Sequence, residues 1–371
     1  MSERSIGELY EAAGQFLTDG EMYECEPYGN GHINDTFSAL CRNASGRVTR
    51  YILQAVNGTV FKEPERLMQN ILSVTEFLKR SETDERRVLS LIKTVSGDCF
   101  FRDRGGTYWR MYLFIDDSLC LERPESPEDF YQCAYAFGKF QRDLNGFPAD
   151  TLYEVIPDFH NTAKRYNDFL KALEADKCGR AAEVKAEAEL IKSRAGFYPL
   201  LADSHKKGLL PLRVTHNDTK SNNVLLDAVT RKALCVIDLD TIMPGFSVTD
   251  FGDSIRFGAS TAAEDEKDLD RVGLDLELFE AYTAGYLDGC AGELSESEIM
   301  LLPEGAMMMT IECGMRFLSD YLEGDVYFKT GYERHNLIRC RTQLRLFEDM
   351  ESRTDEMKKI LTFVFACTAL L

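Results

Sequence analysis

Over the first hundred or so residues, apolar positions gather in short β-branched and aromatic runs at 37–41, 48–53 and 98–101. Turn-forming stretches at 43–46 and 104–106 separate them, which predicts strands joined by tight turns. Between them, 64–80 predicts a helix. Pro64 suits its first turn, and Leu67, Ile71, Val74 and Leu78 recur at helical spacing. One more apolar strand is expected at 108–115, running into Asp116-Asp117-Ser118.

Beyond that point the period changes from two to nearly four. Phe130, Ala134, Phe137 and Phe140 lie on neighbouring turns of a helix expected at 127–144, and Tyr166, Phe169, Leu170 and Leu173 mark another. The Ala, Glu and Lys mixture of 181–194 predicts a solvated helix. Only 223–227 and 234–238 interrupt the helices with strand-like runs, and 276–370 is helical again. The outline is an α+β chain of two lobes: a β-rich N-lobe with a linker strand at 1–115, and a larger, mainly helical C-lobe at 116–371.

Composition narrows the function classes. The 371 residues carry 62 Asp and Glu against 43 Lys and Arg, a formal charge of −19, which sets nucleic acid aside as the main partner. The apolar run at 360–371 is short of the roughly 20 residues that span a bilayer, so a buried terminal helix is expected rather than a membrane anchor. The 11 Cys contain no Cys-x-x-Cys pair and fit reduced thiols. With no secretory profile at the start, a cytoplasmic protein without an obligate protein partner is expected.

The chemistry concentrates between 215 and 241. His216-Asn217-Asp218-Thr219-Lys220-Ser221-Asn222-Asn223 precedes a short strand pair and Ile237-Asp238-Leu239-Asp240. Such spacing suits phosphoryl transfer from ATP. Asp218 would take or orient the proton of the attacking hydroxyl, while Asn223 and Asp238 would hold magnesium on the triphosphate. Lys220, two residues past the base, would offset charge on the transferring phosphate. Upstream, Gly29-Asn30-Gly31-His32-Ile33-Asn34 precedes the first clear strand, where a kinase places its phosphate-covering loop. Asn34 stands in for the third glycine, and His32 reads equally well as a phosphate donor or a structural loop residue.

The 216–223 loop with Ile237-Asp238 resembles the aminoglycoside phosphotransferase and choline kinase group, a branch of the protein-kinase-like fold. Stretches at 29–36, 51–54, 216–220, 250–258 and 316–325 are most similar to the bacterial N-acetylhexosamine 1-kinases. This resemblance implies ATP and magnesium, with phosphorylation of the anomeric C1 hydroxyl of N-acetylglucosamine or N-acetylgalactosamine. It makes Asp218 the base, Asn223 and Asp238 the metal ligands, and Leu113 to Ile115 the linker that takes the adenine. Asp240 either assists the metal or caps the following turn.

Position 54 departs from the kinase pattern: Gln54 occupies the strand site where a phosphate-gripping Lys is expected. Magnesium, Lys220, Arg50 or Lys62 would then supply the missing charge. Arg316, Asp320 and Tyr321 are candidate sugar contacts, although Arg316 and Asp320, four apart, also suit an intrahelical ion pair. A cationic acceptor, of aminoglycoside or choline type, and a non-catalytic ATP-binding regulator are the rival readings.

Overall fold

The computed structural model describes residues 4–29 and 33–368. Helix α1 (Ile6–Ala13) starts at a capping box, in which Ser5 and Glu8 satisfy each other's backbone N–H groups. It lies on a five-stranded antiparallel sheet formed by β1 (Glu21–Pro27), β2 (Asp35–Arg42), β3 (Val48–Val56), β4 (Phe101–Arg102) and β5 (Tyr108–Leu113), in the order β1-β2-β3-β5-β4. Alternation along β3 divides its side chains between two cores. Tyr51, Leu53 and Ala55 join Leu9, Phe16, Trp109 and Met111 beneath α1. Ile52, Val56 and Tyr112 face α2 (Pro64–Leu78), which buries Leu67, Met68, Ile71 and Val74.

Two expectations for this lobe change. Strand β1 precedes the glycine-containing segment, so that segment joins two strands instead of leading into the first. Residues 98–101 are also mostly not strand. Thr94 and Asp98 close a turn on each other, with Gly97 at φ 91°, and pairing begins only at Phe101.

The second lobe is helical, built from α3 (Pro127–Asp143), α4 (Thr162–Ala175), α5 (Lys185–Ser193), α6 (Leu200–Lys206), α7 (Ser247–Gly258), α8 (Leu276–Cys290), α9 (Glu296–Met300), α10 (Leu302–Glu323), α11 (His335–Ser352) and α12 (Thr354–Thr368). Residues 181–183 form a separate 3-10 turn, because the fully buried Val184 breaks the expected solvated helix before α5. In α12, Met357, Leu361 and Val364 are buried while Phe363 is exposed. No helix among the described residues is long and apolar enough to cross a membrane.

Short strands carry the site. β6 (Ser118–Cys120), β8 (Val224–Asp227) and β9 (Ala233–Val236) form one small sheet, and β7 (Arg213–Thr215) pairs with β10 (Met243–Gly245). Helices α7 and α10 cross beside them in close contact: a Cβ added at Gly252 would lie 2.3 Å from Gly305 O. One core bridges the lobes, with Leu67, Ile71 and Val74 of α2 packed among Phe140, Val214, Leu239 and Ile242. Asn70 Nδ2 donates to Ile242 O at 3.0 Å, so α2 is fastened to the chain that follows Asp240.

Candidate active site

Strand β7 delivers His216 and Asn217 onto the side chain of Asp250, in the first turn of α7. Asp250 accepts both backbone N–H groups at 2.8 Å, one on each carboxylate oxygen. Burial pushes its carboxyl up, opposed by His216 and by these bonds. The clamp continues on both sides. His216 Nε2 lies 2.8 Å from Ile237 O, and Thr241 Oγ1 donates to His216 O at 2.6 Å. Thr219 N–H donates to Asp253 at 3.1 Å, and Asn217 takes the left-handed φ of 63° that Asn tolerates. A loop tied at this many backbone points presents its next side chain in one direction.

That side chain is Asp218, which remains partly accessible. Its Oδ1 lies 2.8 Å from Lys220 Nζ, and its Oδ2 accepts from Asn223 Nδ2 at 3.1 Å. Burial pulls Lys220 down, but Asp218 and Asp253 outweigh it and leave the ammonium above its usual range. Asn223 also donates to Asp218 O at 2.8 Å, so both of its amide bonds go to Asp218 and its amide oxygen has no donor among the described residues. The β8–β9 hairpin pairs Val224 with Val236, and Ile237 N–H donates to Asn223 O at 2.9 Å; this brings Asp238 alongside.

Asp238 adopts φ 58°, a left-handed conformation unusual for a side-chain-bearing residue. Its carboxylate is accessible at the floor of the cleft yet surrounded by protein, and burial, then Asp240 and Asp218, push it up to about 7. A cation beside it would relieve that repulsion. Among the described residues no three His, Cys, Asp or Glu side chains converge into a cage for one. The oxygens of Asn223 and Asp238 fit magnesium that takes its other ligands from phosphate and water.

Asp240 is engaged through both of its carboxylate oxygens. One of its oxygens pairs with Arg110 Nη1, and the other accepts from Asn34 Nδ2 at 2.6 Å. Arg110 is a residue that the sequence reading missed. It is the cross-strand partner of Gln54 and donates to Gln54 Oε1 at 2.9 Å, while Gln54 donates to Thr36 Oγ1 at 2.9 Å. Of the cations expected to compensate for Gln54, Lys220 sits beside Asp218, and Lys62 lines the cavity that Gly29 and Asn34 also line. Arg50 stacks over Phe114, 3.9 Å from the ring centroid, and Lys62 is exposed beside α2.

At the linker, Leu113 and Phe114 give their N–H groups to Ser90 O and Arg50 O, whereas Ile115 N–H has no acceptor among the described residues. Gly29 has φ 75° with open space around its Cα. Asn30, Gly31 and His32 lie outside the described residues.

On the far side of Asp218, His160 bridges the catalytic loop to α10: Nε2 is 3.2 Å from Asn217 O and Nδ1 is 2.9 Å from Glu312 Oε1. Arg316 follows one turn along the same face of α10. Its guanidinium lies 5.5 Å from the ring centroids of Phe159 and Phe328, with no carboxylate in ion-pair range among the described residues. Asp320 is not its partner. It accepts the N–H groups of Val326, Tyr327 and Phe328 at 2.7–3.0 Å and holds that loop. Tyr321 is buried, with its hydroxyl 3.3 Å from Glu183, away from Asp218.

Residues 24–289 match the phosphotransferase enzyme family (APH), and this segment is most of the chain. The chain belongs to the phosphotransferase enzyme family. The fold is shared with an aminoglycoside phosphotransferase from Alicyclobacillus acidocaldarius (12% identity, 100% of this chain and 98% of that chain, TM-score 0.62). It is shared also with a microcompartment-associated aminopropanol kinase (14%, 95% and 99%, TM-score 0.61) and with a choline kinase from Cryptosporidium parvum (14%, 92% and 93%, TM-score 0.56).

Within this phosphotransferase, Asp218, Lys220 and Asn223 are thus in direct contact, and the hairpin brings Asp238 alongside them. Asp320 and Tyr321 are committed to protein contacts. The contribution of His160 had no signal in the sequence, because the bridge depends on α10 returning to the loop.

Proposed function

We propose that the protein transfers the γ-phosphoryl group of ATP to a small hydroxylated acceptor, the anomeric C1 hydroxyl of an N-acetylhexosamine. The observation that carries the kinase reading is Asp218: rigidly presented, accessible, and within hydrogen-bond reach of Lys220 and Asn223. In this reading Asp218 receives the hydroxyl proton as the oxygen attacks, and Lys220 balances charge that builds on the phosphoryl oxygens. The amide oxygen of Asn223 and the carboxylate of Asp238 would hold magnesium, which neutralises the phosphates and orients them. Ile115 N–H is offered to adenine, and the segment around Gly29 to the phosphates. An anomeric hydroxyl is more acidic than an ordinary alcohol, so a carboxylate base suffices.

The acceptor class rests on Arg316. A positively charged acceptor is held by unmatched carboxylates or by aromatic rings free of another cation. Here Glu312 is bound by His160, Asp253 and Glu264 are bound by Arg256, and the free charge is a guanidinium among aromatic rings. That wall favours a neutral sugar over a choline or aminoglycoside amine. We further take 1–115 and 116–371 as the nucleotide-covering and acceptor-binding lobes, and place the enzyme in the cytoplasm, where ATP and reduced thiols coexist. ADP release measured across N-acetylglucosamine, N-acetylgalactosamine, simple hexoses, choline and kanamycin tests the reading, with phosphorus NMR of the product. An anomeric phosphate from an N-acetylhexosamine is expected. Turnover with an amine alone would overturn the acceptor, and ADP release with none of them would leave a nucleotide-binding regulator.

A further inference from the structure

We propose that Arg110 is a positioning residue that supplies, from the neighbouring strand, the positive charge that Gln54 lacks, and that its bridge to Asp240 locks the metal-bearing loop to the nucleotide-covering loop. The inference rests on the kinase reading above. Gln54 and Arg110 stand opposite one another in the β3–β5 register, as do Ile52 and Tyr112, so both side chains leave the same face of the sheet. Arg110 is 1% exposed. A guanidinium at that depth requires a carboxylate and further acceptors, and it has Asp240 and Gln54 Oε1.

The partner is the informative part. A strand cation in a kinase-like lobe pairs with a Glu of the neighbouring helix. Helix α2 offers Arg110 only Met68 Sδ, at 3.9 Å, while its Glu65 is taken by the Tyr108 hydroxyl and its Glu76 lies near Lys93. The pair that would join strand to helix is thus replaced by one that joins strand to metal loop. Asp240 extends the chain of bonds through its second oxygen to Asn34, whose own Oδ1 accepts Asn57 N–H at 2.9 Å. Thr36 and Gln54 close the circuit from the other side. Asn34 and Asp240 are therefore held by one partly buried network: Asp240 lies two residues from Asp238, and Asn34 ends the glycine-containing segment. Arg110 is too buried to act as a surface contact for the nucleotide. It sets the distance between the two loops that the nucleotide must bridge.

Three variants test this: R110M, R110M/Q54K and R110M/D240N. Melting temperature, MgATP affinity by calorimetry and the KM for each substrate are measured for each. R110M is expected to weaken MgATP by about tenfold or more, the scale of a lost charged hydrogen bond, with the acceptor KM little changed. R110M/Q54K returns a cation to the same face and should restore most of that affinity. R110M/D240N removes both charges, so it should melt near the wild type yet still bind MgATP weakly. If R110M/D240N regains MgATP affinity together with its stability, the pair is packing alone and the proposal falls. An R110M/Q54K protein that binds no better than R110M overturns it as well. Calorimetry with MgATP needs no acceptor, so a wild type that binds without turnover would sink the proposed function while leaving this result readable.

Discussion

At the residue scale, the site separates groups that act on substrate from groups that hold them. Asp218→Asn keeps the size of the side chain and its contact with Asn223 but cannot accept a proton. Turnover should fall by about 10²–10⁴-fold, while MgATP affinity stays within a few-fold of wild type. Retained kcat in a steady-state assay would remove Asp218 as the base. His160 belongs to the holding set. Both of its ring nitrogens face acceptors, Asn217 O and Glu312, so the geometry calls for an imidazolium with two donors. Burial pulls His160 down, but Glu312 more than offsets this and raises it above the ordinary 6.5. Burial likewise pushes Glu312 up, and His160 and Thr162 bring it below 4.5.

The sign of the linkage follows. The His160 contribution is complete below 6.5 and lost as pH rises through its raised value, while that of Glu312 is complete above 4.5 and lost as pH falls through its lowered one. The pair therefore stabilises most between those values. Melting temperature should fall from about pH 6 to about pH 9, and the fall should shrink in His160→Gln. Identical slopes in the two proteins would show that His160 is not charged at the lower pH.

At the scale of elements, α7 does most of the positioning, and it does so because it can approach α10 closely. Its Asp250 and Asp253 hold the catalytic loop from within, and the backbones meet at Gly252 and Gly305. Gly252→Ala would place a methyl against Gly305 O, and the two helices would have to part. A loss of about 1–3 kcal/mol in chemical unfolding is expected, with a fall in kcat as the Asp250 clamp shifts. Full activity in that variant would separate the clamp from the chemistry.

Legibility in the sequence follows the same physics. Strands β2 and β3 and helices α2 and α3 bury one face each, and their periodicity was plain. β1 has no buried residue, so its residues carry no alternation, although Glu24–Pro27 pair with Phe37–Leu40 of β2 without a break and frame the glycine segment. For α1 the local signs are the Ser5 and Glu8 capping box and a short apolar face of Leu9, Ala12 and Ala13. Asp218, Asn223 and Asp238 were readable because they share one contiguous stretch. Arg110 required the β3–β5 register, and His160 required the return of α10, neither of which spacing along the chain reveals.

At the scale of the whole molecule, the charge of −19 acts differently on the two substrates. MgATP is an anion approaching an acidic protein, and the attraction it meets is local, from cations at the cleft such as Lys220 and Lys62. Raising salt from about 0.01 to 0.15 M shortens the Debye length from about 30 to about 8 Å. Repulsion from the distant surface is then screened, while contacts within a few ångströms persist. Association of MgATP should therefore quicken modestly with salt, by about twofold. A neutral N-acetylhexosamine has no charge to screen, so its kcat/KM at saturating MgATP should stay flat over the same range. A cationic acceptor would be drawn in by the same surface, and its kcat/KM would drop several-fold as salt rises. A salt series at constant magnesium, run on each substrate separately, thus reads the charge of the true acceptor. A steep fall for the best acceptor would reject a neutral sugar even if an N-acetylhexosamine gave measurable turnover.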